Sequence, residues 1–329
     1  MTHKKFPLLF LFLFLTLFSL NSSYSQKYNA IDSIVLKYPN FGSTEKLAER
    51  IQKDFTSEHD KARAIYSWIA LNINYDLETF LDPPKPKNYS FKTTAERDKK
   101  KQLLDEDTMQ KAFRSKKAVC QGYSLLYTHL AALSGLRCQI VTGDSKVDLP
   151  DIGRRNNLSN HAWNTVQIDG QWILVDATWG AGSYDYHRKV FVKKFTPIYF
   201  DMAPKYFNTK HYPEASMYKG NTGNKLEFLN GPLIYDSLIE ENAEILMPYS
   251  GIVKANDGDK ITFKIKNISK HDDLYYLDKK EEKMKLENVK EENGILEFQI
   301  TYNRKMGRFI TFRLFQHGFA AFKVVPKSE

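Results

Sequence analysis

Residues 161–182 read HAWNTVQIDGQWILVDATWGAG, and how this stretch folds decides what the chain can be. Two alternating runs flank Asp169-Gly170, a dipeptide suited to the left-handed angles of a two-residue type I′ turn. With those two residues as the whole turn, Trp163 faces Asp176 and Thr165 faces Leu174. Side chains alternate faces along a strand, so His161, Trp163 and Thr165 share a face with Trp172, Leu174 and Asp176. His161 lies diagonal to Asp176, within reach across a ladder. The register alone predicts an imidazole beside a carboxylate.

Upstream, residues 118–126 read AVCQGYSLL. Leu125, Leu126, Leu130 and Leu133 recur at helical spacing and stop at Gly135, a glycine exit. RCQIVTG then reads as a short strand. Cys120 therefore stands at a helix start, and three readings compete for it: a core thiol, half of a disulfide with Cys138, or a nucleophile. The helix between the cysteines spans about 20 Å at 1.5 Å per residue, whereas a disulfide needs Cα atoms within about 7 Å. Only two residues separate Gly135 from Cys138, so the spacing argues against a bridge. The nucleophile reading has a physical basis. Unpaired N–H groups of the first turn lower a thiol's pKa and can hold an oxyanion. His161 would serve as base and then acid, and Asp176 would orient its ring. Gly122 would leave room beside the thiol, and Tyr75 is a guess for a second oxyanion donor. A metal site on Cys120, His161 and Asp176 is the weaker alternative.

The remaining chain sets the frame. It has 329 residues with 42% hydrophobic and 14% aromatic side chains, enough for more than one domain. Lys4 and Lys5, an apolar run from Phe6 to Leu20 and a small-residue exit at Ser23-Tyr24-Ser25 predict a signal peptide over 1–25. The protein is then expected to be secreted or periplasmic, with no stable membrane span after cleavage. Loss of those two lysines takes the net charge from +9 to +7. Eleven Lys or Arg residues against five Asp or Glu fall between Lys85 and Lys117. An anionic surface is one partner for this basic segment, and a solvated loop is the plainer reading. No aromatic residues interleave with the charges, which argues against nucleic acid. Residues 82–107 read as a surface insertion, and the stretch from Ser57 as a capped helix with one apolar stripe that ends near Tyr75-Asp76. Past a linker at 219–225, ITFKIKNI, ILEFQITY, RFITFRLF and AAFKVV predict a β-sandwich over 226–329, with an immunoglobulin-like arrangement as a candidate.

The stretch KKAVCQGYSLLYTHLAALSGLRCQIVTGDSK followed by the hairpin resembles the core of the transglutaminase-like superfamily of papain-type cysteine enzymes. Its marks are a V-C-x-G-Y helix start, an H-A-W strand and a W-x-x-x-D-x-T-W strand. KARAIYSWIALNINYD is similar to the preceding helix of bacterial members, and YFDMAPKYFNTKHYP to the tail of the kyphoscoliosis-peptidase-like branch. The resemblance runs from about 45 to 215 inside a domain of 26–218. It implies an α+β fold, a papain-like core with a cysteine-bearing helix packed on an antiparallel sheet, followed by the all-β sandwich. It also implies Cys120 as nucleophile, His161 as base and Asp176 as orienting acid. No metal or organic cofactor is implied, although calcium serves some animal relatives. The expected activity is acyl transfer from a protein, peptide or peptidoglycan-peptide substrate, hydrolytic (peptidase or amidase) rather than cross-linking. The alternative is a non-catalytic scaffold whose β-domain carries the interaction.

Overall fold

Asp169 and Gly170 take φ of 48° and 82°, the paired left-handed angles of a type I′ turn. They join β4 (His161–Ile168) to β5 (Gln171–Val175) in an antiparallel ladder where Thr165 faces Leu174. The expected register therefore holds. The ladder stops at Asn164 opposite Val175. Asp176 leaves the strand, donates its N–H to Tyr199 O at 2.9 Å and begins a helical turn, α7 (Ala177–Gly180). Thr178 and Trp179, expected on a strand, lie in that helix because the Asp176 carboxylate caps it.

The computed structural model describes residues 30–84, 90–154, 159–185, 188–215, 223–278 and 280–327. The expected signal peptide and most of the 219–225 linker lie outside them. The chain divides into two compact units: Met1–Ile140 with Trp163–Phe200, and Val141–Ala162 with Asp201–Glu329. The division falls inside β3 (Cys138–Ser145) and β4.

The first unit is mainly helical. It holds α1 over 30–35, α2 (Thr44–Asp54), α3 (Glu58–Asn72), α4 (Leu77–Leu81), α5 (Thr94–Ser115) and α6 (Cys120–Leu133). Short strands β1 (Asn74–Tyr75) and β2 (Lys117–Ala118) pair in parallel, and β6 (Gly182–Asp185) with β7 (Val190–Lys193) forms a hairpin. Ser57 Oγ accepts the Asp60 N–H at 3.1 Å, as the capping residue of α3 should. The helix is not striped, however. Every residue from Ala62 to Ala70 is buried, Arg63 and Ser67 included. Asp32 of α1 makes this tolerable by pairing with the Arg63 guanidinium at 3.0 and 2.7 Å and accepting from the Ser67 hydroxyl.

The basic segment is not a loop where it is described. From Thr94 it is the 22-residue α5, capped by Thr93 and studded with pairs such as Lys100–Glu96 at 2.8 Å and Lys101–Asp105. Met109, Ala112 and Phe113 bury one face, and Phe113 stacks on Trp68 at 5.5 Å.

The second unit carries the end of β3, which pairs with β8 (His211–Pro213) so that Ser145 faces His211; α8 (Pro204–Lys210) leads directly into β8. Beyond α9 (Lys225–Asn230), β9 (Leu233–Ile234) and α10 (Asp236–Glu240) come two sheets. One has the order β10-β12-β16-β15: Glu244–Met247, Lys260–Lys266, Ile295–Thr301 and Glu287–Glu292. The other has β11-β18-β17-β13-β14: Ile252–Lys254, His317–Val325, Phe309–Leu314, Leu274–Leu277 and Lys283–Met284, with β9 beside β18. Their inner faces meet through Phe263 and Phe298 against Phe312 and Phe322, with centroids 4.7–5.4 Å apart. The sandwich rests on that aromatic layer.

Candidate active site

Val119 supplies no side-chain cap to α6, whose first turn begins at Cys120. The approach is rigid. Asn74 and Asp76 donate to Lys116 O and Ala118 O at 2.8 Å, fixing the strand that enters the helix. Two buried tyrosines of α6 then pin it to both ends of α3: Tyr123 Oη donates to Ile73 O at 2.6 Å and Tyr127 Oη to Ala62 O at 3.1 Å. Burial pushes the Tyr123 phenol far up, and the nearby Tyr75 and Asp176 add to the shift. The Ile73 carbonyl also accepts Lys193 Nζ, whose pKa burial lowers to about 8.

Gly122 does not open space for a substrate. A Cβ there would lie 2.7 Å from the Ala118 Cβ and 3.4 Å from that of Ala112. Its role is the close approach of α6 to α5 and β2, which a sequence pattern cannot distinguish from a vacancy.

Asp176 is fully buried. Its Oδ1 accepts the N–H groups of Thr178 at 2.9 Å and Trp179 at 3.0 Å, so the carboxylate has a fixed orientation at the start of α7. The helix packs against both α3 and α6, the cysteine-bearing one. Asn164 of β4 reinforces the arrangement, its Nδ2 lying 3.1 Å from Ser124 O and 2.9 Å from Thr128 Oγ1. Cys138 lies in that network, 3.6 Å from both Thr128 Oγ1 and Asn164 Nδ2, and burial raises its thiol pKa to about 11. No disulfide joins it to Cys120.

In the second unit, His161 opens β4 and is nearly buried. The preceding Asn160 is clamped to β3: its Oδ1 accepts from Ser145 N at 2.7 Å and Oγ at 3.0 Å, and its N–H donates to Gly143 O. Opposite Ser145, His211 brings a second imidazole to His161, with centroids 5.5 Å apart and planes tilted 34°. His211 is wholly buried, stacked on Phe207 at 4.0 Å, with Nδ1 3.3 Å from Phe207 O. Sequence reasoning missed this residue. The histidine of KHYP carried no spacing signal, because its partner lies fifty positions earlier and they meet only through strand pairing.

Residues 45–177 match the model of the transglutaminase-like superfamily. The chain is similar to the kyphoscoliosis peptidases of Homo sapiens (26% identical over 190 residues, covering 57% of this chain and 26% of the relative) and Mus musculus (29% over 174 residues, 53% and 23%). It thus spans about a quarter of the length of those relatives. A solved TGase structure aligns with a TM-score of 0.29 at 19% identity, over 56% of this chain and 43% of that one. No helix among the described residues is long and apolar enough to cross a membrane.

Proposed function

We propose that the chain is an exported cysteine acyl-transfer enzyme that acts on peptide or side-chain amides. The carrying observation is Cys120 at the uncapped start of α6, with the oriented Asp176 on a helix packed against it. His161 takes the thiol proton as Cys120 Sγ attacks the amide carbonyl. N–H groups of the first turn, including that of Cys120, receive the developing oxyanion. The tetrahedral species collapses, the C–N bond breaks, and His161 returns the proton to the departing amine. Water then adds to the thioester with His161 as base, releasing the acid and the thiol. Water is favoured over an amine acceptor because it is abundant outside a cell and nothing marks an amine site. Asp176 keeps the imidazole in the orientation this sequence needs. The name of the relatives, a peptidase, is consistent with this chemistry.

The test incubates the protein with a thiol-directed activity probe and a mixed peptide library. Cys120→Ala should abolish labelling and turnover with the fold retained. His161→Ala should cost several orders of magnitude, and Asp176→Ala less, since packing keeps part of the ring's orientation. Turnover surviving Cys120→Ala would end the proposal, and a wild-type chain inert to both reagents would favour the scaffold reading.

A further inference from the structure

We infer that the C-terminal end of α5 and the turn at 40–42 form a binding site for a small organic oxyanion, a carboxylate or phosphate monoester that carries an apolar group. A cavity of about 400 Å³ opens there, lined by Asn40, Phe41, Gly42, Phe113, Arg114 and Lys116. That volume lies in the range of small-molecule pockets, and all six residues belong to the first unit. The lining holds two cations and an amide but no carboxylate. Other cations of this region are matched. Arg97 meets Asp98, Lys100 meets Glu96, Lys101 meets Asp105, and Lys117 meets Asp76. Among the described residues, neither Arg114 nor Lys116 has an acidic partner.

Lys116 is fixed in place. Its N–H donates to Ala112 O at 3.1 Å, and its carbonyl accepts the Asn74 N–H at 2.8 Å. Its ammonium stands 4.1 Å over the Phe113 ring and 4.4 Å over that of Trp68. The ring faces draw the charge, yet burial lowers its pKa, with no acidic neighbour to offset the lost hydration. An oxyanion in the cavity would restore that balance. The planar Arg114 guanidinium suits an acceptor with two oxygens, and the Asn40 amide offers a further donor. Phe41 and Phe113 give the apolar group rings to lie against. Gly42 leaves its side of the lining open, since a Cβ there would meet nothing within 4 Å. Cations near a helix C-terminus also answer its dipole, which explains their sign but not the aromatic-walled cavity they line.

Binding does not depend on the acyl-transfer reading. The experiment is isothermal titration of phenylacetate and phenyl phosphate into the whole chain, with phenylacetamide, acetate and inorganic phosphate as partial ligands. It runs in parallel on Arg114→Gln, Lys116→Met and Cys120→Ala, with circular dichroism reporting folding. One equivalent of an aryl oxyanion should bind, and the tighter of the two tells a carboxylate from a phosphate ester. The neutral amide and the anions without a ring should bind about tenfold more weakly, as should the aryl anion in Arg114→Gln and in Lys116→Met. Cys120→Ala should leave the affinity unchanged. Arg114 is exposed, so its variant keeps the test decisive should Lys116→Met fail to fold. Absence of saturable binding, equal affinity for the amide, full affinity in Arg114→Gln, or binding lost in Cys120→Ala would overturn the site.

Discussion

At the scale of single residues, the two cysteines are placed for opposite behaviour. Cys138 has its thiol pKa raised to about 11 by burial, so its thiolate is scarce at neutral pH. Iodoacetamide at pH 7 should therefore modify Cys120 well before Cys138, as mass spectrometry of intact protein would read; equal rates would remove the basis for a nucleophile at 120. Arg63 carries a second prediction. Its guanidinium is buried and held by Asp32. Asp32→Ala removes the carboxylate paired with that charge and should cost about 3–5 kcal/mol in a urea titration. A loss under 1 kcal/mol would mean water reaches the site. A period of two and a two-residue turn make the β4–β5 register legible from Ile168 opposite Gln171 to Asn164 opposite Val175, whereas Asp176, expected opposite Trp163, leaves the ladder to cap α7. The Arg63 pair was not legible, since its partner lies thirty-one residues upstream and no local pattern marks a buried ion pair.

For the elements, contact between neighbours decides more than propensity. α6 lies so close to β2 that a Cβ at Gly122 would overlap that of Ala118. Gly122→Ala should lower stability by about 1–3 kcal/mol and slow alkylation of Cys120 through a shifted helix start. Unchanged values in both measurements would return Gly122 to the role of a spacer for substrate. Asn164→Ala removes the link from β4 to Ser124 and Thr128 of α6. Its cost should be about 1–3 kcal/mol by chemical denaturation, together with easier alkylation of Cys138. The α6 start, the glycine exit and the hairpin could all be read from period and turn chemistry. The α5 helix could not. Its lysine run resembles a solvated loop, and its buried face is confined to Met109, Ala112 and Phe113 at the far end. Along that helix Lys100 pairs with Glu96 and Lys101 with Asp105.

Across the whole molecule, buried lysines set the response to pH. Lys146 donates to the carbonyls of Phe228 at 2.5 Å and Gly231 at 2.8 Å, and burial depresses its pKa to about 7. Lys193 is depressed to about 8 for the same reason. Between those values and the ordinary lysine pKa near 10.4, the unfolded chain holds protons that the folded chain lacks. Stability therefore rises with pH through this window, and the cost of burying charge is full below about pH 7. The urea midpoint should climb from pH 7 to pH 9, and Lys146→Met should flatten that slope even where it lowers the midpoint. A flat wild-type profile would contradict the burial argument. The two sheets of the sandwich were foreshadowed by alternating runs and turn signals, but a boundary inside β3 and β4 leaves no mark in composition, because a strand reads the same whichever unit its halves serve. That boundary has a consequence for biosynthesis. A ribosome releases both segments of the first unit once residue 200 has emerged, whereas residues 141–162, which carry His161, belong to a unit completed only by 201–329. The segment bearing Cys120 thus belongs to the unit completed early, and the segment bearing His161 to the unit completed last.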